Sequence, residues 1–528
     1  MSKAIKRIVV VGGGSAGWLS AAFLNRALGG TVDVTLIESP NIPRIGVGEA
    51  TVPTLRHTMN YLGFDDHEWM AACSATYKLA IRFEQWNQPI EEGAEGFYHP
   101  FFERTEPLVK TDRPFFPEVG EGISLMHYWN QRRLSGDTTP YAHAVFPNAK
   151  LCDSKKGPRE SLDSKPDIQS AFHVDAAQLA QFLARASIER GVKHVVGNVV
   201  EVTLSETGSI ESVVLESGER VQGDLFVDCT GFRSVLLGGA LQEPFLSDGG
   251  SLFCDAAVAM HADNRHEDGL APYSSAPAGR AGWMWDIPLL ERAGTGYVYS
   301  RAHLTPSEAE TELRRYVGER VWEDVSVKHL TFRPGRRERS WVGNCVAIGL
   351  ASSFIEPLES TTIFLIEYSL AQLVALLPNA RMSTAFRKRY NQNTARMYEE
   401  IRDFIVMHYV LSRRTDTPFW RDVKSHTLVP SGLRDQLEFY RESLPHNTQL
   451  HNFVFRERSY ACVLAGLGYL PEQPLPLLNH QEPSAADAMF VAVQEETARL
   501  LHTLPSHDDL LEQIHGVRPS RRPVAGVA

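Results

Sequence analysis

Residues whose types and spacing could do chemistry fall into a few short segments. "GGGSAG" sets Gly12, Gly14 and Gly17 in G-x-G-x-x-G spacing, directly after "RIVVV" and at the start of "WLSAAFLNRAL". The first glycine permits a tight turn, the second lets main chain approach a pyrophosphate, and the third lets helix and strand pack closely. A diphosphate then sits at a helix N-terminus, where unpaired N–H groups and the helix dipole favour anions. Glu38 closes the next strand, where a carboxylate binds ribose hydroxyls. Strand, helix and acid agree, which favours a dinucleotide site over a merely glycine-rich turn. A second segment, "FIEPLESTTIFLIEY" (Phe354–Tyr368), puts Glu356, Glu359, Pro357 and the hydroxyls of Ser360, Thr361 and Thr362 before an apolar run. One reading is structural: a proline turn, a serine cap, and a helix burying Ile363, Phe364, Leu370, Leu373 and Leu377. The other is chemical, with Glu359 beside a reacting group, and the segment by itself does not choose. "GWMWDIP" alternates Trp283, Trp285 and Ile287 on one face of a strand, which also suits an aromatic structural strand.

The elements that position these residues follow an α/β pattern. Residues 6–38 read strand, turn, helix, strand; residues 173–237 read helix, strands, strand; residues 251–300 read as strands of a sheet; and 361 to about 412 is mostly helical. Residues 96–170 show little periodicity and are expected to be loop-rich. The expected division is an interleaved cofactor module over 1–360, a mostly helical region over 361–515 completing a substrate pocket, and a disordered tail over 516–528. The chain has 528 residues and a net charge of -11, which argues against nucleic acid as partner. No run reaches the roughly 18 apolar residues of a spanning helix. The apolar run after the basic start enters the glycine turn and is read as a buried strand, not a signal peptide. Six cysteines without C-x-x-C spacing suggest reduced cytoplasmic thiols, with no metal site.

Two further segments bear on which nucleotide binds. "DLFVDCTGFRS" resembles the strand and glycine turn beside the adenine half in FAD-dependent monooxygenases. "NCVAIGLASSFIEP" resembles the strand and loop those enzymes lay along the ribityl chain. With the N-terminal motif they are similar to a Rossmann-like FAD-binding fold of the flavin monooxygenase type. No second G-x-G-x-x-G lies in a βαβ context, so reduced flavin is expected from another protein or through a shared pocket.

The W-x-W-x-I-P motif is accompanied, in order, by "GVGEATVPTLR", "YKLAIRFEQW", "YHPF", "FHVDA", "EPLEST", "DFIVMHYVLSRRTDTPFW" and "YACVLAGLG". This set closely resembles the flavin-dependent halogenases of the tryptophan-halogenase family, from about residue 6 to about residue 470. The resemblance implies that FADH2 comes from a separate NAD(P)H-dependent flavin reductase and reacts with O2. Chloride or bromide is then oxidised to hypohalous acid, which travels through a tunnel to a small aromatic substrate. A monomer or homodimer with no membrane partner is expected.

Carried over residue by residue, the resemblance gives the lysine that captures hypohalous acid as Lys78 and the carboxylate that assists ring substitution as Glu359. In "YKLAIRFEQW" the alternation sets Lys78, Ala80, Arg82 and Glu84 on one strand face, which without the resemblance reads as solvated. Glu356 precedes proline and is expected to face the loop. The halide maps to Thr361 and Thr362, where main-chain N–H groups would be unpaired if Ser360 caps the helix. Thr362 departs from the family's usual glycine and narrows the main-chain approach, so chloride and bromide both stay in view. Trp283, Trp285 and Ser360 map to the tunnel and flavin shielding. His99 and Phe101 map to aromatic residues that sandwich an indole. The cofactor set comprises Gly12, Gly14, Ser15, Ala16, Gly17, Glu38, Glu49, Val199, Leu350 and Ile363. The tyrosine pair with which tryptophan enzymes hold the amino acid has no match in "PHNTQLHNFVFRERSYACVLAGLG", so an indole, a phenol or something larger is expected as readily as tryptophan. Two rivals share the cofactor segments. An FAD-dependent aromatic hydroxylase would consume NADPH itself and would not need Lys78. A non-catalytic flavin redox sensor would not respond to halide.

Overall fold

The computed structural model describes residues 4–42, 48–88, 96–102, 108–110, 122–265, 269–322, 324–379, 382–445 and 452–519. From residue 520 on, the tail expected to be disordered lies outside the described residues. The chain forms two compact units, each assembled from three stretches: 1–75, 174–249 and 331–399 in the first, and 76–173, 250–330 and 400–528 in the second. These limits differ from a division at 360/361. Helix Thr362–Ala375 packs on helices Ser15–Leu28 and Thr54–Leu62, so it is part of the first unit.

The first unit is built on a six-stranded sheet in the order Lys193–Val196, Asp33–Glu38, Arg7–Val11, Leu225–Asp228, Cys345–Ala347, Trp341–Val342. The first five run parallel and the last antiparallel. Such strands are covered on both faces and read as continuous apolar runs, as "RIVVV" and "LFVD" do. Helix Ser15–Leu28 packs against Ala176–Glu189 and Thr362–Ala375. The turn after Leu225–Asp228 is organised by the fully buried Asp228. Its carboxylate accepts the Thr230 N–H and hydroxyl at 3.0 and 2.6 Å and the N–H groups of Leu236 and Leu237 at 2.9 and 2.8 Å. Those donors compensate the cost of burying the charge.

The second unit holds a seven-stranded sheet in the order Lys328–Thr331, Ala256–Ala262, Ala293–Tyr299, Gly282–Pro288, Tyr273–Pro277, Ala80–Glu84, Phe97–Pro100. Ala80–Glu84 runs parallel to Tyr273–Pro277 and antiparallel to Phe97–Pro100.

Two sequence expectations fail here. Residues 125–153 are not loop. They form helices Leu125–Leu134, Tyr141–Val145 and Pro147–Asp153, the first capped by the Ser124 hydroxyl. The six residues from Leu125 to Asn130 are all buried, so that helix carries no one-sided apolar stripe to be read. Nor is "YKLAIRFE" one alternating strand. It breaks at Leu79 into strands Thr76–Lys78 and Ala80–Glu84, which join different partners. The solvated face that alternation alone suggests for Lys78 therefore does not exist, and its burial is complete.

Candidate active site

In the first unit the glycine turn lies beyond the carboxyl ends of the parallel strands, where doubly wound sheets bind nucleotides. Gly12 has φ +121°, and a Cβ on it would stand 2.2 Å from the Cys229 carbonyl oxygen. A Cβ on Gly17 would stand 1.7 Å from the Gly12 carbonyl oxygen. Neither position accepts a side chain. Gly14 is different, because nothing stands within 4 Å of where its Cβ would be, and it caps a helix that lacks a side-chain cap. The Ser15 hydroxyl donates to the Ala176 carbonyl at 3.2 Å. Ala16 lies beside Gly349, which precedes Leu350 in the turn Gly349–Ala351. Glu38 folds over Gly13, and its Oε2 is 3.2 Å from His194 Nε2. Open main chain at Gly14, an uncapped helix start and an adjacent carboxylate fit the diphosphate and ribose of FAD. Glu49 lies in the short strand Gly48–Ala50, and Ile363 is buried in the first turn of its helix. Val199 packs its side chain against the apolar core.

"EPLEST" forms a 3₁₀ turn over Pro357–Glu359, after which Ser360 takes a left-handed conformation at φ +61°. A left-handed serine stores strain that surrounding structure must hold in place, a feature that clusters at functional sites. The helix begins at Thr362, so its cap is Thr361, not Ser360, and no side chain bonds that cap. The left-handed turn takes Ser360 out of the extended geometry an N-cap needs. The Thr361 hydroxyl thus accepts none of the first N–H groups, which suits an anion. Burial does not separate the two acids. Glu356 is 1% exposed and Glu359 is 2%, so Glu356 does not face an open loop.

In the second unit Lys78 is 0% exposed, and its Nζ lies 5.0 Å from the centre of the Phe101 ring. The neighbouring strand carries His99, which pairs in register with Ile81. His99 faces three rings: Phe404 at 5.8 Å, Phe455 at 6.3 Å and Phe102 at 6.5 Å between centres. Phe404 and Phe455 stack at 3.9 Å. The Glu400 carboxylate holds this wall, accepting the main-chain N–H groups of Phe453, Val454 and Phe455 at 2.9, 2.7 and 3.2 Å. Trp283 and Trp285 lie 6.3 Å apart on one strand, and Gly296 opposite leaves room for the Trp285 indole, which would stand 2.0 Å from a Cβ there.

Sequence reasoning missed Phe404, Phe455 and His173. The first two lie in segments of clear interest, but their facing His99 depends on long-range packing. His173, in "FHVDA", is fully buried opposite Thr76 on the strand that carries Lys78. The Thr76 hydroxyl donates to the Pro288 carbonyl at 2.6 Å, so its oxygen accepts from His173 Nδ1–H at 2.9 Å. Nε2 then accepts from the Ser274 hydroxyl at 2.9 Å. Burial, and then the Lys78 charge, push its pKa well below the usual imidazole range, so the ring is neutral. Among the described residues, no His, Cys, Asp and Glu group is arranged to hold a metal, and no helix is long and apolar enough to cross a membrane.

The family model described as "Tryptophan halogenase" matches residues 7–483. The tryptophan 6-halogenase ThaL of Streptomyces albogriseolus is 39% identical over 98% of this chain and 100% of its own. The tryptophan 7-halogenase RebH of Lentzea aerocolonigenes is also 39% identical, over 98% and 100%. The crystal structure of the tryptophan 6-halogenase SttH from Streptomyces toxytricini superposes with a TM-score of 0.88 at 41% identity, covering 96% of this chain and 100% of that one. A nucleotide cradle in one unit, a buried lysine beside an aromatic cage in the other, and near-full-length similarity at these levels are the basis on which this chain belongs to the flavin-dependent tryptophan-halogenase family.

Proposed function

We propose that this flavin-dependent halogenase halogenates a small indole-like or phenolic substrate held by His99, Phe101 and Phe455, with Lys78 and Glu359 as catalytic residues. The observation that carries the reading is the complete burial of Lys78 beside Phe101, on strands that also bring His99 to the cage. A lysine placed for structure alone would keep its ammonium in water, because burial of an ammonium costs several kcal/mol.

Reduced flavin and O2 supply the two-electron oxidation of halide to hypohalous acid, with the flavin held by Gly12, Gly14, Ser15, Ala16, Gly17, Glu38, Glu49, Val199, Leu350 and Ile363. We assign the flavin's reduction to a separate reductase. Thr361 and Thr362 present main-chain N–H groups to chloride or bromide. The Lys78 ammonium donates a hydrogen bond to the oxygen of hypohalous acid, which weakens the O–X bond and aims the halogen at the ring. The ring's π electrons form the C–X bond as O–X breaks, and the departing hydroxide takes a proton from Lys78 to become water, a proton made good by the one the ring then releases. Glu359 stabilises the cationic ring and accepts the proton its carbon loses. Trp283 and Trp285, with Ser360, are assigned to keeping the aromatic substrate from the flavin, which suppresses hydroxylation. Main-chain donors at Thr361 suit either halide, and Thr362 in place of glycine narrows the approach. ThaL and RebH are named for tryptophan, and free tryptophan belongs in the panel of substrates to try.

The test combines the protein with FAD, a flavin reductase, NADH, O2 and either halide over a panel of indoles and phenols. Products carrying the isotope pattern of chlorine or bromine are expected. Hydroxylated product without halogen incorporation would overturn the reading.

A further inference from the structure

Arg458 lies in the first turn of helix Glu457–Gly466, three residues after Phe455 in the same segment. It is 8% exposed, yet among the described residues its guanidinium has no hydrogen bond and no ion pair. Its contacts are two rings, with its central carbon 4.7 Å from the Phe102 ring centre and 4.3 Å from that of Phe146. These two rings stack on each other at 5.3 Å, and Phe102 in turn faces His99. The charge therefore stands one ring away from the aromatic cage. Its neighbour Glu457 is also buried, but adjacent residues on a helix do not face each other.

A buried charge without a partner is strongly destabilising, and two cation–π contacts offset only part of that cost. Guanidinium presents a planar fork of N–H donors that matches a carboxylate in two parallel bonds. We infer that Arg458 is an anion anchor of the substrate site, and that the substrate is an aromatic monocarboxylic acid whose short acidic arm reaches past Phe102. The inference rests on the site proposed above and narrows its substrate class.

The test compares indole with indole-3-propionate, which differ in the acidic arm. Binding is measured by calorimetry on the full chain, and kcat/KM in the reconstituted system. Arg458→Met keeps the packing of the stem against Phe102 and Phe146 while removing the charge. The expected result is a tenfold or greater weakening for indole-3-propionate, appearing in Kd and KM, with indole unchanged within twofold. Arg458→Lys, which keeps the charge without the fork, should fall between. Equal losses for both ligands would assign Arg458 to structure alone, and no loss for the acid would remove it from the site; either result overturns the inference. If the acid binds through Arg458 but no halogen is incorporated into either compound, the halogenation reading fails and the anchor stands.

Discussion

The glycine turn of the first unit and the lysine cage of the second solve opposite problems. The turn works by leaving things out. Gly12 and Gly17 are needed because carbonyl oxygens stand where a Cβ would be, while at Gly14 nothing stands within 4 Å and the main chain is left open. The cage works by putting things in, with a fully buried ammonium, an imidazole and three phenyl rings gathered from distant stretches of chain. Substitutions in the turn should act through shape and be all-or-none. Substitutions in the cage should act through charge and orientation and be graded.

The largest effect that sharpens this contrast is expected at Gly17. Gly17→Val places atoms where the Gly12 carbonyl oxygen stands, and FAD binding, followed by flavin fluorescence quenching, should be lost. Measurable FAD affinity within tenfold of the parent would break the shape argument. Lys78→Met keeps the stem and removes the charge. Halogenated product should fall by about a hundredfold or more, the scale of losing a key electrostatic stabiliser, while NADH and O2 are still consumed. Preserved product would remove Lys78 from the chemistry. Glu359→Gln should slow product formation by about ten- to a hundredfold, and Glu356→Gln by less, with FAD affinity unchanged in both. Equal losses would show that the two acids, which are equally buried, share the work.

The smallest effect concerns Glu367 on helix Thr362–Ala375. Burial pushes its carboxyl up to about 7, despite hydrogen bonds from Thr54 and Thr58. The folded state favours the neutral form, so the stability this group contributes is full below pH 4.5. It is lost as pH rises through about 7. Glu367→Gln should therefore be more stable than the parent at pH 8, by at most about 3 kcal/mol, with the difference vanishing near pH 4.5. Thermal melts at the two pH values check this, and a variant less stable at pH 8 would contradict the sign.

The turn was legible in the sequence because its information is local: G-x-G-x-x-G, the preceding apolar strand and Glu38 all lie within one βαβ unit. The cage was legible in part. Lys78 and His99 stood out by resemblance to a family, but alternation put Lys78 on a solvated face because nothing local marks the break at Leu79. Helix Leu125–Leu134 escaped because its first six residues are buried on every side, and a period cannot show where there is no exposed face. Glu356 looked loop-facing because proline follows it, while tertiary burial decided otherwise.

The amino-acid sequence by itself determined the parallel-sheet cradle, the nucleotide it suits and the family, because these depend on residue types at short, fixed spacings. Tertiary structure alone decided that Thr361 caps helix Thr362–Ala375, that His173 is a neutral buried ring held by Thr76 and Ser274, and that Phe404 and Phe455 close on His99. It also decided that Arg458 is buried without a counter-charge among the described residues. The physical reason is common to all four. Burial and partner geometry are properties of chain segments tens to hundreds of residues apart, and no local pattern encodes the distance between them.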